Sequence, residues 1–186
     1  MRAYVDESVR VAAPGLYVLA AVMVSSDEAA EVRAVLRESL PQRQRRFHWR
    51  AESAQRREAM AKIVSVLALP GMVVITSPID PRRQERARRV ALTRLLWELE
   101  QRQVFDVLFE SRHEIADQAD RSHIGTCQRA GHVTRQLRYG FGRPLAEPLL
   151  WLPDLLAGAT TTAYDGRGVE CLSLLDPTTV DAGPGN

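Results

Sequence analysis

Lysine is nearly absent from this chain: of its 25 lysines and arginines, only Lys62 is a lysine. A genome rich in G and C accounts for such a bias, but the bias has a chemical consequence. The planar guanidinium matches phosphate and never loses its charge. Arginines cluster at residues 43–46, 82–83, 86–89 and 135–138. The 86–89 cluster falls on a helix whose opposite face is apolar, so a solvated face explains it; a basic surface for nucleic acid is permitted but not required. Cysteine is scarce too. Cys127 and Cys171 stand far apart with no Cys-x-x-Cys partner, which excludes a zinc ribbon and a disulfide framework. No apolar run reaches membrane length, and the opening Met1-Arg2-Ala3-Tyr4-Val5-Asp6 does not read as a signal peptide. The expectation is a cytoplasmic protein with no membrane partner. Ser8 has no Gly-x-Ser-x-Gly elbow around it, and Tyr139-Gly140-Phe141-Gly142 is too short for a phosphate loop and lacks its lysine.

What remains is an ordinary soluble composition, 45% hydrophobic and 26% charged with a net charge of +2 over 186 residues. That length fits a single domain over residues 1–175, with the Thr-, Pro- and Gly-rich residues 176–186 as a disordered tail. Residues 2–6 read as a strand ending in acid. Residues 16–24 read as a second strand, and the short Pro14-Gly15 connection makes the pair antiparallel. Ser26 is placed to cap a helix through about Leu40, and a second helix covers about 52–68. A strand at 72–77 leads to Asp80-Pro81, a strong helix start, and that helix runs to about Arg102. Residues 104–110 form another strand with acid at its tip. A polar helix at 114–129, a strand at 133–141 and a last helix from Pro153 follow.

These elements make an α/β domain with a mixed sheet, two or three antiparallel strands followed by parallel ones, and flanking helices. If the third strand pairs with the second, it runs with the first, and the helix after Asp80 is a crossover to a fourth strand parallel to the first. Asp6, Asp80 and Glu110 then share one end of the sheet. Glu85 begins its helix at that end, and Asp154 does so if the strand at 133–141 runs the same way. Clustered carboxylates repel and raise one another's pKa unless a cation intervenes. Hard oxygen donors without thiolates select Mg²⁺ or Mn²⁺. A pair of such ions ~3.5–4 Å apart can clamp the attacking and leaving oxygens of a phosphodiester.

Tyr4-Val5-Asp6-Glu7-Ser8 and the late Leu150-Trp151-Leu152-Pro153-Asp154-Leu155-Leu156-Ala157-Gly158-Ala159 resemble an uncharacterised bacterial family of ribonuclease-H-like proteins. Its members open on an apolar-Asp-Glu-Ser-Gly strand and end on an Ala-Asp-Leu-Leu-Ala-Gly-like helix. Phe47-His48-Trp49 lies where that family often has a histidine after the first helix. The resemblance spans roughly residues 2–165. It implies a ribonuclease-H-like fold with Asp6, Glu110 and Asp154 as metal-binding acids. Val9 replaces the family's glycine, Pro153 its alanine, and Glu110 stands where aspartate is common.

Each candidate also has a simpler explanation. Asp154 in a first helical turn is favoured by the helix dipole, by about 0.3–1 kcal/mol. Glu7, which would face away from Asp6, and Glu85 are candidates to complete the metal shell. Asp80 reads as a cap. His113, beside Arg112, could supply a general acid or simply occupy a polar loop. His48 reads as a packed surface histidine or a site residue. The leading expectation is a divalent-metal-dependent nuclease acting on nucleic acid. The alternatives are an inactive ribonuclease-H-like module that binds nucleic acid or a protein partner, and a structural subunit using Phe47–Trp49 as an interface. These residues do not distinguish DNA from RNA or fix an oligomeric state.

Overall fold

Strand β2 (Gly15–Val24) is buried along its whole length, because it is covered on both faces. Its even residues, Leu16 to Val24, enter one hydrophobic cluster, and Tyr17, Leu19, Ala21 and Met23 enter another. The two-residue period of a strand divides the core. The computed structural model describes residues 1–12 and 14–185. β1 (Arg2–Arg10) and β3 (Gly71–Ile79) flank β2, both antiparallel to it. β4 (Asp106–Glu110) lies parallel to β1, β5 (Arg138–Gly142) parallel to β4, and β6 (Thr178–Asp181) parallel to β3. The sheet order is β5-β4-β1-β2-β3-β6.

One sheet face is covered by α1 (Ala29–Glu38), α2 (Ala54–Val66), α5 (Trp151–Ala163) and α6 (Val169–Leu175), with Phe47 and Trp49 packed among them. The other carries α3 (Gln84–Gln101) and α4 (Glu114–Arg129). The mixed sheet and the parallel β1–β4–β5 run are as the connection lengths required. α4 has the expected limits. No described helix is long and apolar enough to cross a membrane.

Four expectations need correction. β1 does not stop at Asp6 but continues to Arg10, held by β2 through Arg10↔Leu16, so Asp6 is a mid-strand residue. Ser25, not Ser26, opens the first helix: its hydroxyl donates to Glu28 Oε2 at 2.6 Å and accepts from Glu28 N at 3.2 Å, a reciprocal capping pair. α5 begins at Trp151, and Pro153 sits inside its first turn, where the missing N–H costs nothing. Residues 178–181, expected within a disordered tail, form β6. The chain then continues along β3, with Ala182 N donating to Ile75 O at 2.8 Å and Gly185 N to Pro78 O at 3.1 Å.

Candidate functional site

Asp6 shares the parity of Tyr4 on β1, which packs into the cluster beneath α5, while Glu7 shares that of Val5, which packs beneath α3. The two neighbouring acids are therefore sent to opposite faces. On β4, Val5 aligns with Phe109, so the next pair level across the ladder is Asp6 and Glu110. Asp154, in the first turn of α5, stands over that same face. Three elements thus turn Asp6, Glu110 and Asp154 to one face of the sheet, near enough for their charges to act on one another. Burial pushes the Asp6 carboxyl well above its ordinary value, and the charges of Glu110, Asp154 and Glu7 push it further. Burial and then the Asp154 charge raise Glu110 to about 7, against the opposing pull of Arg46 and His48.

The orientation of Asp154 is built from the chain around Trp49. Trp49 N donates to Asp154 Oδ2 at 2.8 Å, and His48 Nδ1 lies 3.3 Å from the same oxygen. That hydrogen bond raises the His48 imidazole above its usual pKa. Trp49 can approach because Gly158, one turn after Asp154, has no side chain: a Cβ there would lie 2.2 Å from Trp49 Cγ. Trp49 Nε1 then donates to Thr162 Oγ1 at 3.2 Å, one turn further on. The start of α5 is anchored as well. Glu147 receives both Arg33 nitrogens at 2.9 Å, and Trp151 Nε1 donates to Pro144 O at 2.8 Å.

Beside Glu110 opens a cleft of ≈ 540 Å³ whose walls include Arg46, Arg112, Arg121 and Arg143. Asp117, buried at the start of α4, fixes one wall by accepting from Ser111 Oγ at 2.6 Å and Arg112 N at 3.1 Å. An acidic point beside a guanidinium-lined cleft suits a phosphate-bearing chain.

The other candidates lie elsewhere. Glu7 is ion-paired with Arg88, a buried guanidinium that also binds Asp120 Oδ2 at 2.6 Å and the Tyr17 hydroxyl at 2.9 Å. Glu85 pairs with Arg112 at 2.6 Å and is not carried to Asp6. Both belong to an ion network on the α3–α4 side, which compensates the partly buried Glu7 without a metal and leaves Glu85 exposed. His113 caps α4, its Nδ1 accepting from Ala116 N at 3.3 Å. Asp80 accepts from Arg82 N at 2.8 Å as a cap. Tyr139–Gly142 is strand β5, not a loop. Among the described residues, no three His, Cys, Asp or Glu side chains stand ready as a metal site. His48 and Arg46 are the site neighbours that sequence reasoning underweighted. The signal for them was the Arg46-Phe47-His48-Trp49 run itself, polar groups interleaved with aromatics that must be buried.

No family model matches the chain, and no curated protein matches it. In three dimensions it is similar to the ribonuclease HII in the structure of the PCNA:RNase HII complex from Archaeoglobus fulgidus. The TM-score is 0.56 at 19% identity, over 91% of this chain and 76% of that one. The likeness and the mixed sheet, antiparallel strands leading into parallel ones between helical layers, show that this chain has a ribonuclease-H-like fold.

Proposed function

We propose that this protein is a divalent-metal-dependent nuclease that hydrolyses phosphodiester bonds of nucleic acid, with Asp6, Glu110 and Asp154 holding Mg²⁺ or Mn²⁺. The observation that carries this reading is the convergence of those three acids from β1, β4 and α5, at the cost of raised Asp6 and Glu110 pKa values. The donor set fits a hard cation: three carboxylates with no thiolate among them. Bound there, such an ion supplies charge stabilisation and an activated water. Trp49 N and His48 hold Asp154 in place. His48 engages Asp154 through Nδ1, leaving Nε2 free to pass a proton to a departing oxygen. Arg46 and Arg143, which line the cleft beside Glu110 without a carboxylate partner among the described residues, would bind the phosphates of the strand. The neighbour's name, a ribonuclease, points the same way.

The rival, an inactive module that binds nucleic acid or a protein partner, draws on the same cleft and on Asp154 Oδ2 already having two partners. Cleavage separates the two. With Mg²⁺ or Mn²⁺, the purified protein should cut a single-stranded, duplex or hybrid substrate, and Asp6→Asn or Asp154→Asn should lower the rate by about 100-fold or more. Cutting undiminished in both variants removes these acids from the mechanism. No cutting of any substrate with either ion favours the inactive module.

A further inference from the structure

A groove of ≈ 990 Å³ lies on the opposite side of the sheet from Asp6. It runs along α3, whose Arg86, Arg89, Val90, Thr93, Arg94 and Trp97 recur at helical spacing and so form one stripe. His123 of α4 closes the far wall, fixed to α3 by Thr93 Oγ1 at 2.8 Å and by Arg89 O at 3.1 Å. The walls are preformed.

Two features of this stripe suit a ligand. Three neighbouring guanidinium groups have carboxylate partners: Arg83 with Asp80, Arg88 with Glu7 and Asp120, Arg94 with Glu98. Arg86 and Arg89 are exposed and have no ion-pair partner among the described residues. Glu85, four residues before Arg89, is turned to Arg112 at 2.6 Å, and no carboxylate lines the groove. The second feature is Trp97, 44% exposed at the groove wall although large apolar rings are normally covered. The Arg94 guanidinium lies over its ring, 5.2 Å from the centroid. Free guanidinium groups one helical turn apart suit successive phosphates, and a guanidinium-backed indole suits the flat face of a base. A duplex keeps its bases stacked inside and offers none to an indole, so the chemistry selects a single strand.

We infer that this groove is a second nucleic-acid site that takes a single strand, with phosphates on Arg86 and Arg89 and a base stacked on Trp97. It requires no metal and stands apart from the nuclease reading. The protein reports on it directly, because Trp49 and Trp151 are 4% and 3% exposed and only Trp97 is open to a stacked base.

The test is a titration of the whole chain with a thymidine oligonucleotide about eight nucleotides long, in excess chelator, read by tryptophan emission and by anisotropy of a labelled strand. Quenching is expected. Trp97→Phe should abolish the quench. The Arg86→Ala/Arg89→Ala pair should weaken binding by about tenfold or more and reduce the slope of log K against log salt by about 1.4. Arg46→Ala/Arg143→Ala, in the cleft beside Glu110, should leave the quench in place. Unchanged emission overturns the inference. So do an unaltered affinity in Arg86→Ala/Arg89→Ala, loss of the quench when the cleft arginines are replaced, or an equal response to duplex or to polyglutamate. The last outcome would make the groove a site for acidic peptides.

Discussion

A methyl group on residue 158 would fall within the van der Waals envelope of the Trp49 ring, so Gly158→Ala must push the indole away from α5. Trp49 N would move with it, and Asp154 would lose the backbone donor that aims it. The expected outcome is a loss of roughly 1–3 kcal/mol in urea denaturation, together with a fall in cleavage rate larger than the stability loss explains. Across the sheet, Arg88 gives the contrasting case. Arg88→Met would leave Glu7 and Asp120 buried without their shared cation, at a cost of roughly 3–5 kcal/mol. Arg112 offsets part of that, reaching Glu7 at 3.6 Å and Asp120 at 3.4 Å. Asp6 and Asp154 stood out in the sequence through strand direction and through the two short motifs that carry the resemblance, and the two-residue period already turned Glu7 away from Asp6. The partner of Glu7 was not legible, because the guanidinium that claims it lies 81 residues away. His48 was ambiguous for the same reason: its partner is 106 residues distant.

Among the elements, β2 and α4 were readable from local pattern, the first from an unbroken apolar run and the second from a helix flanked by loop residues. β6 was hidden. Of Thr178–Asp181 only Val180 is buried, so no alternation announces a strand, and what holds it is the ladder supplied by β3. Residues beyond Pro177 nevertheless close the open side of β3, with Gly185 set against Ala87 and Thr76 so tightly that a Cβ would lie 2.8 and 2.9 Å from them. Truncation after residue 176 should therefore cost about 1.5 kcal/mol or more from Val180 alone. Hydrogen exchange should show the Ser77 amide losing protection, since it donates to Gly183 O at 3.2 Å. Unchanged stability and protection would mean that the tail adds nothing to the sheet.

For the molecule as a whole, the acid cluster sets how stability varies with pH. Glu110 titrates at about 7 in the folded protein against an ordinary 4.5, and Asp6 is displaced in the same direction. The folded state therefore holds protons that the unfolded chain has already released. Their contribution is complete below about 4.5 and is lost as pH rises through about 7. In chelator the melting temperature should fall across that window, less steeply in Glu110→Gln. Mn²⁺ should raise it, increasingly so at higher pH, because an ion bound only by the folded state replaces those protons. Asp6→Asn should remove the Mn²⁺ response and stabilise the metal-free protein. A melting curve indifferent to Mn²⁺ at every pH would count against metal binding by these acids. The Asp6-Glu7 step in β1 also has a bearing on folding fidelity. Sliding the strand by one residue would exchange the two side chains between faces. Sliding one way would put the longer Glu7 into the carboxylate cluster and bring Ser8 to Arg88. Sliding the other way would offer Arg88 the shorter Asp6, and in either case every apolar residue of β1 would turn to the wrong layer. The misthreaded sheet would leave a buried cation poorly matched as well as a core undone, so one dipeptide guards the alignment of the strand on which both faces depend.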